Sequence, residues 1–393
     1  MKFVHICEEF EYSWIGKDNG MIPIYAKEIL KWNSEIVTCN LKNDLPDEIR
    51  GVKIVKVKRW FKKMKNFAPW VIFFKRLPLY FYIFKNAKII DVLMLFHVTK
   101  CSYWNAFFYK KFNPNGKIYI KGDFNLNIYI NELHETKMKV DSLRSFFRRN
   151  RQRKEYKKRR KLIKLVDLIS YESKEAYIYM EDSYAGISTK GKTMYLPNGY
   201  DDIYIEKKFN VKPYKEKENI FLTVGRLGTS EKNTELLLNV LENVDLKDWK
   251  FYLVGPIEDG FKNNIEEFYK KNPHKKDNVI FTGTILDKKI LYEYYNRSKV
   301  FVLPSRWESF GIVMVEAMAF NCYILTSNTC AANDITDNEN IGEIFDAFSE
   351  KSLEEKLIKI INNKIHLNYY EYNINDYKEN FKYSKLIKRL NKI

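Results

Sequence analysis

The chain has 393 residues, 45% hydrophobic and 30% charged, with 68 Lys and Arg against 50 Asp and Glu and a formal net charge of +18. This length exceeds one ordinary hydrophobic core and points to two domains, and the balance of apolar to charged residues excludes a disordered or collagen-like chain. Five scattered cysteines (Cys7, Cys39, Cys101, Cys322, Cys330) without a C-x-x-C pair exclude a disulfide scaffold and read as reduced thiols.

Met1 to Cys7 reads as a short strand followed by acids, not as the apolar core of a signal peptide. A polar loop from Glu8 to Gly20 follows, with Asn19 and Gly20 at its end. Next come an amphipathic helix from about Pro23 to Trp32 and a strand over Ser34–Cys39. A strand, a Gly-containing loop and a helix make a plausible phosphate-side or acceptor-side loop. Further strands are expected at 52–57, 89–96 and 117–121, and this alternation argues for a parallel α/β sheet. The apolar stretch Phe67 to Phe84 contains Lys75, Arg76 and Pro78, so it is not expected to span a bilayer. Asp167 to Ser173 reads as a buried strand with Ser173 capping the next helix. Tyr195-Leu-Pro-Asn-Gly-Tyr-Asp201 is a turn signal, and a boundary is expected in the Lys, Glu and Pro-rich stretch 203–217.

The second half restarts the alternation. Ile220–Val224 is a strand leading into Gly225-Arg226-Leu227, and Glu231-Lys232-Asn233 opens a helix at 234–243. Strand 250–254 leads to Gly255, strand 278–281 to Gly283, and strand 299–303 to Pro304-Ser305. Glu308 and Glu316 then stand eight residues apart around Ser309-Phe310-Gly311-Ile312, with a helix opening near Gly311. A helix N-terminus offers unpaired N–H groups and partial positive charge to a phosphate, and glycine lets a ligand approach the backbone. Carboxylates on either side could accept from hydroxyls, so a diphosphate between two sugars, a nucleotide-sugar, fits.

This string resembles the E-x7-E motif of the family-4 retaining glycosyltransferases, which have the GT-B fold. Val224-Gly-Arg226-Leu with Glu231-Lys232-Asn233 resembles the same family's phosphate-holding signature, with Asn233 where glycine is commoner. The resemblance implies two Rossmann-like domains facing across a cleft: 1–203 for the acceptor, 204–375 for the nucleotide-sugar, and a helix at 376–393 crossing back to the first domain. It implies that Arg226 and Lys232 hold the donor phosphates, Glu316 the ribose, and Glu308 the transferred sugar. Ser309, Phe310, Gly311, Ile312, Gly225 and Gly255 would lie near the donor, and Asn19, Gly20 and Asn198 near the acceptor. The histidine common in the family after the strand matching 117–121 is absent. Lys121 or Asp123 could take its contacts, with Asp123 polarising an acceptor hydroxyl; equally, the two could form an ion pair at a strand end. His97 is a further candidate on that side. No D-x-D string and no metal-ligand histidine spacing occurs, so no metal or other cofactor is expected.

The basic surplus is uneven. Residues 1–200 hold 39 Lys and Arg with 20 Asp and Glu, leaving 29 and 30 of the totals to residues 201–393. Within 51–120 there are 15 basic residues and one acid, Asp91, and Arg144 to Lys164 packs 12 Lys and Arg into 21 residues, a basic amphipathic helix. Trp60, Phe61, Phe67, Trp70, Phe73, Phe74, Tyr80 and Phe84 lie among the cations of 56–84, a mixture suited to an anionic bilayer surface. Together, the resemblance and this basic face lead to the expectation of a retaining hexosyltransferase with a UDP-sugar donor, acting on a lipid-linked or growing cell-envelope glycan at the cytoplasmic membrane face. A sugar phosphorylase or nucleotide-sugar epimerase on the same fold stays open, as does a nucleic-acid-binding protein, which would leave the donor string unexplained.

Overall fold

The computed structural model describes residues 1–40, 45–58, 73–123, 129–130, 143–329, 331–363 and 367–393. Trp60, Phe61, Phe67, Trp70 and Cys330 lie outside the described residues. The side chains of Arg144 to Arg148, the start of the basic segment, are likewise outside the description. The chain divides into two compact units, Met1–Pro197 with Tyr383–Ile393, and Asn198–Lys382.

In the first unit β1 (Lys2–Ile6), α1 (Asp18–Glu28), β2 (Asn33–Thr38), β3 (Glu48–Ile49) and β4 (Val52–Lys56) are followed by α2 (Leu77–Asn86), β5 (Val92–Phe96) and α3 (Lys100–Phe112). Then come β6 (Lys117–Gly122), α4 (Leu143–Leu165), β7 (Leu168–Tyr171), α5 (Lys174–Met180), the short pair β8 (Ser183–Tyr184) and β9 (Ile187–Ser188), and β10 (Thr193–Tyr195). Eight strands form one sheet in the order β10-β7-β6-β5-β1-β2-β4-β3, parallel except for the β3–β4 hairpin. The central strands are buried nearly end to end, as expected for a parallel sheet covered on both faces. Ser173 caps α5 by accepting from the Ala176 N–H.

Two expectations for the chain's termini change. The helix placed from Pro23 begins at Asp18, so Asn19 and Gly20 lie in its first turn, not in a loop. Lys17 O accepts from both Gly20 N and Met21 N, and Asp18 favours the positive helix end. Pro23 therefore sits inside the helix, where its missing N–H would otherwise face Asn19 O. The last segment is not one helix over 376–393. A helix over Leu367–Lys378 and a 3-10 turn end at extended Lys382, and Tyr383–Ile393 packs with the first unit. There Tyr383 donates to Asp18 at 2.7 Å and Arg389 to Tyr195 O at 3.0 Å.

In the second unit α6 (Asp202–Lys208) leads to β11 (Glu218–Val224), α7 (Thr234–Asn243), β12 (Lys250–Val254), α8 (Lys262–Lys271) and β13 (Val279–Gly283). Next are α9 (Lys288–Arg297), β14 (Ser298–Leu303), α10 (Ile312–Ala319), β15 (Tyr323–Ser327), α11 (Ala332–Thr336), β16 (Gly342–Phe345) and α12 (Glu350–Ile361). The stretch 203–217 lies wholly within this unit, with Tyr204 and Ile205 packed in its core. The six-stranded sheet is all parallel in the order β13-β12-β11-β14-β15-β16, the Rossmann winding with its topological switch between β11 and β14. The first sheet has the corresponding switch between β1 and β5. In such sheets ligands bind beyond the C-terminal strand ends at the switch.

Candidate nucleotide-sugar site

The two loops at the switch of the second sheet are those that carry Arg226 and Glu308. β11 ends at Val224, and Gly225 continues it by donating to Val254 O at 3.0 Å. Gly255, after β12, has φ +143°, and a Cβ there would lie 1.8 Å from Gly225 O. These two backbones touch, so position 255 has no room for a side chain.

Arg226 extends into solvent and donates to Glu231 Oε2 at 2.9 Å. The other oxygen of Glu231 holds the Lys232 ammonium at 3.1 Å. Lys232 also donates to Glu308 Oε1, which accepts from Ser305 Oγ at 2.8 Å. The loops are further tied by Arg306 N to Glu231 O and by Arg306 Nη1 to Ser230 O, both at 2.9 Å. Two cations and two carboxylates thus stand together at the switch, with the Lys232–Glu308 pair joining the two loops.

Asn233, which departs from the family's usual glycine, has φ 52° and ψ 38° at the N-cap of α7. That left-handed conformation is the one glycine adopts freely and asparagine tolerates best among side-chain-bearing residues. Its amide donates to Ala347 O at 2.9 Å, so the substitution keeps the turn.

Gly311 is the left-handed N-cap of α10 with φ +86°, where a Cβ would meet Met314 Cε at 2.6 Å. Phe310 is buried beneath it, while Ser309, Gly311 and Ile312 are half-buried. Glu316 lies on the fifth residue of α10 and accepts from Tyr292 OH at 3.0 Å and from Tyr295 OH at 3.5 Å. Burial raises its carboxyl above the usual range, partly offset by Lys288 and the two tyrosine bonds. Burial likewise pushes both tyrosines well up, so their hydroxyls stay protonated as donors. Tyr292, Tyr295 and Lys288 lie outside the motif strings read from the sequence, and Glu231 and Ser305 belong to those strings without a role assigned to them. The available signal was the i, i+3 spacing of Tyr292 and Tyr295, which places both hydroxyls on one face of α9.

In the first unit, Asn19 is buried and its side-chain oxygen meets His5 Nε2 at 2.9 Å. Burial lowers the His5 pKa to about 4, so the ring is neutral at pH 7. Gly20 is required by packing, since a Cβ would lie 2.3 Å from Ile15 O. Lys121 and Asp123 do not pair with each other. Lys121 is 1% exposed and lies 3.3 Å from Asp18 and 3.9 Å from Glu172, with a bond to Leu196 O at 2.8 Å. Its side chain is drawn into the core, where two carboxylates meet it. Asp123 stands instead by His97: its backbone oxygen meets His97 Nδ1 at 3.1 Å and its carboxylate lies 4.0 Å from Nε2. His97 directly follows β5 at the switch of the first sheet and holds φ 60°, a strained conformation for histidine. Asn198 is buried at the start of the second unit.

Two parallel Rossmann-like sheets in one chain define the GT-B fold. A lipopolysaccharide outer core galactosyltransferase, WaaB, matches 100% of this chain with 100% of its own at TM-score 0.68 and 16% identity. Anabaena HepE in complex with UDP and glucose matches 100% of this chain with 98% of its own at TM-score 0.69 and 13% identity. In sequence, residues 205–377 match the family described as glycosyl transferases group 1. An uncharacterized 41.2 kDa protein in the cps region of Klebsiella pneumoniae is 33% identical over 121 residues, 31% of this chain and 30% of its own. The capsular polysaccharide biosynthesis glycosyltransferase CapM of Staphylococcus aureus is 30% identical over 147 residues, 36% of each chain. An Escherichia coli UDP-Gal:alpha-D-GlcNAc-diphosphoundecaprenol alpha-1,3-galactosyltransferase is 26% identical over 185 residues, 44% of this chain and 46% of its own. The matched stretches span less than half of each of these relatives.

Proposed function

We propose that this protein is a retaining, metal-independent glycosyltransferase of polysaccharide synthesis. It moves a hexose from a nucleoside-diphosphate sugar, most simply a UDP-sugar, to a lipid-linked or growing cell-envelope glycan. The observation that carries this reading is the convergence of Arg226, Lys232 and Glu308 at the switch of the second sheet, with the N-terminus of α10 and the tyrosine-held Glu316 following in the same chain segment.

Lys232 and Arg226 offset the charge that develops on the leaving diphosphate, in the place a metal ion takes elsewhere. Glu231 and Glu308 hold the Lys232 ammonium at that position beforehand. The carboxylate of Glu316 accepts from the ribose hydroxyls, and Glu308 stands by the transferred sugar. Retention follows from front-face attack, with the leaving phosphate oxygen taking the acceptor proton, so no enzymic nucleophile is assigned. The UDP and glucose complex of HepE supports the donor class, and the diphosphoundecaprenol acceptor in the name of the Escherichia coli relative supports a lipid-linked acceptor. The basic first half supports peripheral residence on the inner face of the membrane.

A thermal-shift panel of UDP-, GDP- and ADP-sugars with and without EDTA tests the reading. A ligand bound only by the folded state raises the melting temperature by mass action. One nucleotide is expected to give a clear shift that EDTA leaves unchanged. A shift that EDTA abolishes overturns metal independence, and no shift with any sugar nucleotide overturns the donor site.

A further inference from the structure

At the N-terminal edge of the first sheet, where β6, β7 and β10 begin, lies a cavity of about 850 Å³. It is at the opposite strand ends from His97 and Asp123 and shares no residue with the site above. Lys110, Lys117, Lys164, Lys192, Arg389 and Lys392 line it. Among the described residues its one acidic side chain is Asp167, which lies 2.9 Å from Lys110 and 3.7 Å from Lys117. Arg389 donates one N–H to Tyr195 O. Lys164, Lys192 and Lys392 have no carboxylate partner among the described residues. Six cations against one acidic side chain leave this wall net positive, and such a cavity concentrates anions, phosphate among them.

Beside this cavity is an apolar surface. Phe81, Phe84 and Ile89 are exposed, Phe84 by 55% and Ile89 by 63%. The Phe84 ring meets Phe112 edge-on at 4.9 Å, and Phe112 ends the same helix that gives Lys110 to the cavity wall. Asn113 pins the two features together by donating to Ala87 O at 2.8 Å and Ile90 O at 2.9 Å. Lys85 lies over the Phe81 ring at 4.6 Å, and neither α2 nor α3 contains an acid. Aromatic rings backed by lysines suit the boundary between headgroups and acyl chains.

We propose that this edge of the first unit docks on an anionic phospholipid bilayer, with Phe81, Phe84 and Ile89 entering the acyl boundary and the cationic cavity receiving a headgroup phosphate. The charge complementarity and the adjacency of the two features commit the surface to a lipid rather than to a soluble phosphate, which would leave the aromatics without a role. The inference rests on the membrane residence proposed above, for which it supplies the docking surface, and does not depend on the donor chemistry.

The test is sedimentation of the full chain with vesicles of phosphatidylcholine alone or mixed with phosphatidylglycerol. The protein is expected to sediment with the anionic vesicles only. The double variant K192Q/K392Q is expected to bind about thirtyfold more weakly, the factor for two surface cations of ~1 kcal/mol each. The F81S/F84S variant is expected to bind anionic vesicles more weakly than the wild type at low salt, and both are expected to be released at about 1 M salt, where screening reaches ~3 Å. Equal binding to both vesicle types, or variants that bind as the wild type does, overturns the proposal. So does stabilisation of the wild type by inorganic pyrophosphate, lost in K192Q/K392Q, without vesicle binding, which would make the cavity a soluble-phosphate site. Binding to duplex DNA without binding to vesicles overturns it as well. Melting temperatures report whether each variant keeps its fold. The shift given by a sugar nucleotide is expected to be the same in all three proteins; its absence throughout counts against the sugar-transfer reading alone.

Discussion

Replacing Lys232 by alanine separates a structural role from a chemical one. In the structure the Lys232 ammonium bridges Glu231 and Glu308, with side chains 18%, 29% and 10% exposed. That burial lies between the exposed regime, worth ~0–1 kcal/mol, and the fully buried one, where removing a partner costs ~3–5 kcal/mol. A stability loss of about 1–3 kcal/mol is expected, since Glu308 keeps the Ser305 hydroxyl and its loop keeps the Arg306 bonds. The chemical loss is expected to be larger. A group that stabilises charge developing in the transition state contributes ~10²–10³ in rate, or ~2.7–4 kcal/mol. Turnover per folded molecule, measured as nucleotide released from the donor identified by thermal shift, should fall by that factor at a temperature where the variant is fully folded. If Lys232 only braces two loops, the melting temperature drops while turnover per folded molecule remains within about threefold of wild type, ~0.7 kcal/mol. That outcome would refute the placement of the leaving diphosphate at Lys232.

Glu316→Gln should remove donor binding while raising stability near neutral pH. A carboxyl whose pKa is raised by burial favours the folded state below the unfolded value of 4.5, and that contribution is lost as pH rises toward the folded value. Melting temperatures of the two proteins should therefore converge in acid and separate in favour of the variant above this window; a difference independent of pH would contradict burial as the cause. Gly255→Ala places a Cβ 1.8 Å from Gly225 O at φ +143°, and strain with overpacking should cost several kcal/mol. Gly260→Ala, with nothing within 4 Å, is the matched control and should melt as wild type, so equal melting of both variants would refute the close backbone approach.

The parts of the site legible in the sequence are those that depend on local backbone. β11, α7, β14 and α10 fall at or within a residue or two of their expected positions, because apolar runs ending in Gly225, Gly255 and Gly311 mark strand ends and helix starts without reference to the rest of the chain. Even the departure at Asn233 is local, an asparagine in the left-handed conformation that glycine would take. What was not legible depends on residues far apart in sequence. Lys121 finds Asp18, Glu172 and Leu196 O, and Asp18 in turn finds Tyr383, 365 residues away. Spacing along one strand carries no information about such partners. The same holds for the tyrosine hydroxyls on Glu316, where only the folded core shows which face of α9 meets α10. The excess charge of the first half was legible as a total, but not its arrangement. Four of its cations and two near the C-terminus share one cavity wall because β6, β7 and β10 begin side by side and the segment 383–393 returns to them. Composition could suggest a polyanionic partner; only the fold places the cations at one sheet edge next to Phe84 and Ile89, and the proposal of a bilayer rather than a free anion rests on that placement.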